Sequence, residues 1–220
     1  MMASALLLAA TASAAAGSGF RFHVPEGWMD LSPGAPESNF VQVPAQVASM
    51  ARSGKFTAMA FDMAGRSERF AANLNVTVQQ ASLRVDEGSL ASIRAQMEQA
   101  MKAGGADVRV VDASIRTIQG VPVARLVSEG MMQGNDLRQL IYLIPGFKET
   151  AALTFTAERR RFDQYVAVFD AAAEKTQGAR AAPPTFLGID LGETMRATVV
   201  GAFVGACIGL LKKLRSRRNA

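Results

Sequence analysis

The feature that most constrains this chain is a run of four β-rich segments, at 108–118, 121–129, 137–144 and 150–156. The breaks between them are short and turn-forming: Gln119-Gly120, Gly134-Asn135-Asp136 and Pro145-Gly146. A parallel neighbour needs a crossover of about a dozen residues or more, whereas an antiparallel neighbour needs only a turn. The four segments are therefore expected as an antiparallel meander. Segment 137–144 is apolar on both faces, so it is expected inside the sheet and covered on both sides.

The flanking pattern supplies further elements. Phe20, Phe22 and Val24 alternate with Arg21 and His23, and Pro25-Glu26-Gly27-Trp28 ends that strand in a turn. Pro33, Gly34 and Pro36 mark a loop; strands are expected near 40–43 and 56–63, with a polar break at 65–69. Leu74, Val76 and Val78 alternate with Asn75, Thr77 and Gln79, the period of a half-buried strand. Leu90, Ile93, Met97 and Met101 then line one helical face, with Ser89 as N-cap, Gly104-Gly105 as stop and Glu98 facing Lys102 one turn on. A last helix begins after Thr156, carries Phe162, Tyr165, Val166 and Phe169, continues through Ala171, Ala172 and Ala173, and ends by Gly178. Together these give one α+β domain over 19–178, an antiparallel sheet flanked by helices.

Composition narrows the chemistry. The chain has 220 residues, 49% hydrophobic and 20% charged, which suits a folded core and excludes wholesale disorder. One cysteine and one histidine exclude an internal disulfide, a Cys/His zinc cluster and a histidine-pair metal site. Lys+Arg is 24 against 19 Asp+Glu, and Lys212, Lys213, Arg215, Arg217 and Arg218 make up the difference, 24 − 5 = 19. The body is therefore balanced. A nucleic-acid-binding domain spreads basic residues over a face of its fold, so that class is set aside. A basic cluster behind an apolar run points to a membrane surface instead.

Both ends fit that reading. Residues 1–18 contain Leu6-Leu7-Leu8 followed by Ala12-Ser13-Ala14 and Ala14-Ala15-Ala16, two A-x-A patterns typical of a cleaved secretory leader. Arg21 is the first basic side chain, so the usual charged start is missing, and a disordered Ala-rich leader is the alternative reading of 1–18. Residues 179–195 read as a linker containing Ala181-Ala182-Pro183-Pro184, 196–212 as a transmembrane helix and 213–220 as a basic cytoplasmic tail. The uncharged stretch 197–211, between Arg196 and Lys212, spans about 22 Å as a helix against about 30 Å of hydrocarbon, a short span that snorkelling and bilayer thinning accommodate. Gly201, Gly205 and Gly209 fall along one helical face and suit close association with a second copy. The basic tail favours the cytoplasm, which puts the body on the extracytoplasmic side. Cys207 lies within the span as a small packing residue.

The opening Phe20-Arg21-Phe22-His23-Val24-Pro25-Glu26-Gly27-Trp28 and the closing strand Leu153-Thr154-Phe155-Thr156, followed by a helix with Phe162 and Phe169, resemble PsbP-like domains over roughly 20–178. The resemblance implies a PsbP/DcrB-type α/β/α sandwich. It also implies an accessory or binding protein without a common catalytic centre. The group includes bacterial envelope proteins and small chaperones of secreted effectors.

Direct searching for chemistry yields little. His23 sits on the polar side of a strand with no G-x-S-x-G elbow in the chain. The acids Asp86, Glu87, Asp107, Asp112, Glu129 and Asp136 are scattered, and no calcium loop, phosphate loop or Rossmann fingerprint is present. Arg159-Arg160-Arg161 after Glu158 reads as a solvated turn, although phosphate or headgroup binding is open to it; Trp28 reads as a packing residue, Met97 and Met101 as core. No catalytic, cofactor or metal residue is assigned. The expected function is a membrane-tethered, non-catalytic accessory domain with a protein partner, self-associating through its last helix. A cytoplasmic tail-anchored chaperone or adaptor is the alternative, and an envelope hydrolase a third. Replacing the middle glycine, G205I, is expected to lower the yield of crosslinked oligomers of the full chain in membranes; unchanged crosslinking removes the glycine line as a contact surface.

Overall fold

The computed structural model describes residues 12–14, 18–67, 70–103, 107–132 and 134–181. The expected helix at 196–212 and tail at 213–220 lie outside them, and among the described residues no helix is long and apolar enough to cross a membrane.

A short pairing joins β1 (Ala12–Ala14) to β2 (Arg21–His23). It is separate from the main sheet, so loss of a leader at either A-x-A pattern removes β1 and leaves the sheet untouched. The main sheet has seven strands: β3 (Met29–Asp30), β4 (Ala58–Phe61), β5 (Asn73–Gln79), β6 (Asp107–Ile118), β7 (Val121–Met132), β8 (Asn135–Pro145) and β9 (Thr150–Glu158). Their order is β3-β4-β5-β9-β8-β7-β6, every neighbour antiparallel. The expected meander is thus present, and β8 lies inside the sheet with both faces buried. A β-bulge between Val110 and Asp112 shifts the register of the outer strand β6, which re-aims its remaining side chains.

Helices cover both faces. The α4 helix (Phe162–Glu174), preceded by a 3-10 turn at Arg159–Arg161, packs on one face with the segment carrying Phe20, Phe22 and Val24. Phe169 is fully buried there, stacked on Phe155 at 4.8 Å and Tyr165 at 5.6 Å, with Trp28 edge-on at 6.1 Å. The opposite face carries α3 (Glu87–Ala103), whose Ile93, Met97 and Met101 meet Leu126, Leu137, Ile141 and Leu143. Beside it, α1 (Glu37–Phe40) and α2 (Ala45–Arg52) cover β3 and β4 through Phe40, Val47, Ala51, Met59 and Phe61.

The details depart from the sequence expectation in several places. Residues 40–43 are not a strand: Pro36 and Pro44 each precede a helix, and Phe40 ends α1 with its ring in the core. Helix α2 was not expected, because its buried side is small, Val47, Ala48 and Ala51. Ser89 is not the N-cap of α3; Asp86 Oδ1 accepts from Ser89 N at 2.8 Å and Ser89 Oγ accepts from Asp86 N at 2.9 Å, a reciprocal box one turn wide. Glu98 lies 3.4 Å from Arg94, and the side chain of Lys102, its expected partner, lies outside the described residues. The strand β9 runs on to Glu158, and α4 stops at Glu174, short of Gly178. Shortening Phe169 to alanine is expected to destabilise the protein by about 3–5 kcal/mol in denaturant unfolding, the cost of a large cavity in a packed aromatic cluster; a loss under about 1 kcal/mol contradicts the central role given to this ring.

Candidate functional site

Gly201, Gly205, Gly209, Lys212, Lys213, Arg215, Arg217 and Arg218 lie outside the described residues, as does Cys207. What the structure does place is the point from which that segment departs. Gly19 N donates to Glu149 Oε1 at 2.6 Å, and Arg180 N donates to Pro145 O at 2.8 Å. Arg21 and Gln177 exchange backbone hydrogen bonds at 3.1 and 2.9 Å. The incoming and outgoing chain are therefore zipped together beside the β8–β9 turn. Two glycines permit this close fit. A side chain at Gly146 would strike the Phe20 ring at 2.8 Å, and one at Gly178, where φ is +99°, would strike Gly19 O at 2.3 Å.

The same pole collects neighbouring turns. Gln119 Nε2 of the β6–β7 turn donates to Thr176 O at 2.9 Å, and Ser82 Oγ donates to Gly146 O at 2.8 Å. Phe147 projects from the β8–β9 turn, 61% exposed, with Lys148 Nζ 5.4 Å from its ring centre. His23, close by, has its pKa lowered by partial burial and then by Lys175. None of this was visible in the sequence beyond the turn Pro145-Gly146, since convergence of the ends is a property of the topology.

Many charged groups elsewhere are paired with one another. Register alone sets Arg109, Glu129 and Arg138 side by side across β6, β7 and β8. Glu129 is buried; Arg109 reaches it at 2.9 Å, Arg159 at 3.3 Å and Arg138 at 3.5 Å. The hydrogen bond from Arg109, reinforced by the charges of Arg159 and Arg138, holds its carboxyl below the usual range. Arg160 pairs with Glu158 at 3.4 Å, and Arg161 donates to Gly65 O and, at 3.2 Å, to the Tyr165 hydroxyl. The arginine run is therefore part of the fold. Tyr165 donates to Asp62 Oδ2 at 2.7 Å; burial and that carboxylate push its pKa up to about 12. Further along α4, the Tyr142 hydroxyl donates to Asp170 at 2.6 Å and accepts from the buried Arg125 at 3.2 Å, while Asp112 stands 3.6 Å from Arg125. Burial and the Asp170 carboxylate raise the Tyr142 pKa. Asp107 is exposed, Asp86 caps α3, and Asp136 faces Arg159 at 4.0 Å. Trp28 packs on Tyr165 and Phe169.

One buried polar surface was misread. The polar side of β5, expected to face water, lies under the helical layer: Asn73, Asn75, Thr77 and Gln79 are all buried. Asn73, Thr156, Gln139 and Ser128 form a row across four strands. Gln139 Nε2 donates to Thr156 Oγ1 at 3.2 Å and Ser128 Oγ to Gln139 Oε1 at 3.1 Å. Asn75 Nδ2 donates to Asn73 Oδ1 at 2.9 Å. Strand register brings Thr156, Gln139 and Ser128 within hydrogen-bond reach, whereas Asn75 Oδ1 and Gln79 Nε2 are buried without a partner among the described residues.

With this geometry in hand, known structures provide a reference. The cyanobacterial PsbP protein CyanoP from Synechocystis sp. PCC 6803 superposes with a TM-score of 0.50 at 17% identity, over 73% of this chain and 86% of that one. The body has the PsbP-like fold. LpqN, involved in cell envelope biogenesis of Mycobacterium tuberculosis, matches with a TM-score of 0.44 at 12% identity, over 73% of this chain and 83% of that one. No protein-family model matches the sequence, and no curated protein matches it.

The Glu129 cluster gives a pH test. Its folded pKa is depressed, so its contribution to stability is complete above the unfolded value of about 4.3 and is lost as pH falls toward the folded value. E129Q is expected to lower stability at pH 7 by about 1–3 kcal/mol and to flatten the loss of stability below pH 4.3 or so; an unchanged acid limb in denaturant titrations refutes the assignment.

Proposed function

We propose that this chain is a membrane-tethered, non-catalytic accessory domain that recognises a protein partner on the extracytoplasmic side, in the manner of an assembly factor for an envelope complex. The observation that carries the reading is the convergence of both chain ends at one pole of the body, Gly19 and Arg180 being fastened to the same β8–β9 turn. The apolar leader and the apolar stretch 197–211 therefore both join the body through this pole in chain order, and a tether here leaves the rest of the body turned outward. A tether raises the effective concentration of a partner in the same membrane without demanding high intrinsic affinity.

Two further facts support the accessory role. The PsbP-like fold brings the expectation of a binding module. The perturbed acids and tyrosines described above face cations or carboxylates that neutralise one another. Of these, Arg159–Glu129, Tyr142–Asp170 and Tyr165–Asp62 tie α4 or a loop to the body while Arg125–Asp112 joins two strands, and such pairs shift pKa values for structural reasons. The twelve-residue outer strand β6 offers a long edge to a partner, with Asp112, Arg116 and the bulge restraining indiscriminate pairing.

The reading predicts that full-length chain resists alkaline carbonate extraction from membranes. It predicts that protease added to intact spheroplasts digests the body, and that the mature N-terminus follows Ala14 or Ala16 by mass spectrometry. Carbonate release removes the tether; a protected body with Met1 intact favours the cytoplasmic adaptor.

A further inference from the structure

We propose that the pole bearing Phe147 is a lipid-contact surface, with the Phe147 ring seated at the headgroup level of an anionic bilayer and Lys148, Arg21, Lys175 and Arg180 lying over the phosphates. The inference takes its orientation from the tethered reading above. Among the described residues the exposed large hydrophobics are Val41, Met131, Phe147 and Val168, and Phe147 is the aromatic one. Folding does not require its ring. The turn is already closed by Gly146 N donating to Glu149 O at 2.8 Å and by Ser82 Oγ donating to Gly146 O at 2.8 Å. Phe20 fills the space beneath the turn, as its contact with Gly146 shows. An exposed ring beside the Lys148 ammonium makes an amphipathic pair, the combination that settles where hydrocarbon meets headgroup.

The charge distribution points the same way. Lys148, Arg21, Lys175 and Arg180 are exposed, and none is ion-paired among the described residues. The acids of this pole are Glu149, buried and accepting from Gly19 N, Asp86, held by Arg84 at 2.6 Å, and the exposed Glu87 and Glu174. At the opposite pole Arg109, Arg138, Arg159 and Arg160 all contact carboxylates. Four unpartnered cations therefore surround the turn to which Arg180 is fastened, while at the opposite pole Arg66 is exposed and unpaired among the described residues. Each basic residue near an anionic leaflet adds attraction, and a chain held at that leaflet needs only a weak surface contact to take up one orientation.

Tryptophan placed at each pole of the full chain tests this. F147W and, as a control at the distant β7–β8 hairpin, M131W are reconstituted in vesicles of phosphatidylglycerol and phosphatidylcholine, with and without brominated lipid, the unmodified chain giving the Trp28 background. F147W emission is expected to shift to the blue and lose intensity to the brominated lipid, M131W emission to do neither, and K148E with R180E to diminish the F147W effect. Equal behaviour of the two probes in chain that resists carbonate overturns the lipid-contact surface and leaves the tether. Quenching of F147W in chain that carbonate releases supports the surface and overturns the tether. Equal behaviour in carbonate-released chain overturns both.

Discussion

The central strands have no wet face, and the rest of the architecture follows from that. Nearly every side chain of β9, from Thr150 to Ala157, is buried, as are those of β8 from Gln139 to Pro145. Two covering layers are then obligatory. The α4 aromatic cluster supplies one, and α3 with α1 and α2 the other. Apolar area removed from water on two sides of one sheet is the dominant favourable term. It also makes unpaired polar groups between the layers costly, and Thr156, Gln139 and Ser128 answer one another across the strands.

What the sequence revealed was what depends on neighbours along the chain. Turn residues at 119–120 and 145–146 announced reversals, and the two-faced apolarity of 137–144 announced an interior strand. The spacing of Ile93, Met97 and Met101, and of Phe162 and Phe169, announced helices with one buried side. What escaped depends on partners distant in sequence. The alternation along β5 shows that two faces differ, yet it cannot show that a helical layer covers the polar one. Helix α2 buries alanines, which carry almost no periodic signal. Glu129 looks like any strand acid until register sets Arg109 and Arg138 on either side of it. The pole at Gly19 and Arg180 is likewise a product of topology, and the glycines that permit it read locally as ordinary turn residues.

The ionic groups divide the body into two unlike ends. Near the start of α4, arginines from β6, β8 and the 3-10 turn surround one buried carboxylate, and Arg161 clasps the loop at Gly65. These contacts lock α4 against the sheet, and their charges cancel locally. At the other end α4 finishes beside Lys175, and the cations there have no such partners among the described residues. The helix carries its negative dipole end toward those cations, which suits their charge and keeps them together in space. A near-neutral body thus has a polarised surface, basic where the chain arrives and leaves and self-neutralised at the far end. Uneven charge of this kind steers approach before contact in general, and screening by salt confines that influence to roughly a Debye length, about 8–10 Å. The end at which Gly19 and Arg180 are fastened is thus also the end where Arg21, Lys148, Lys175 and Arg180 have no carboxylate partner among the described residues.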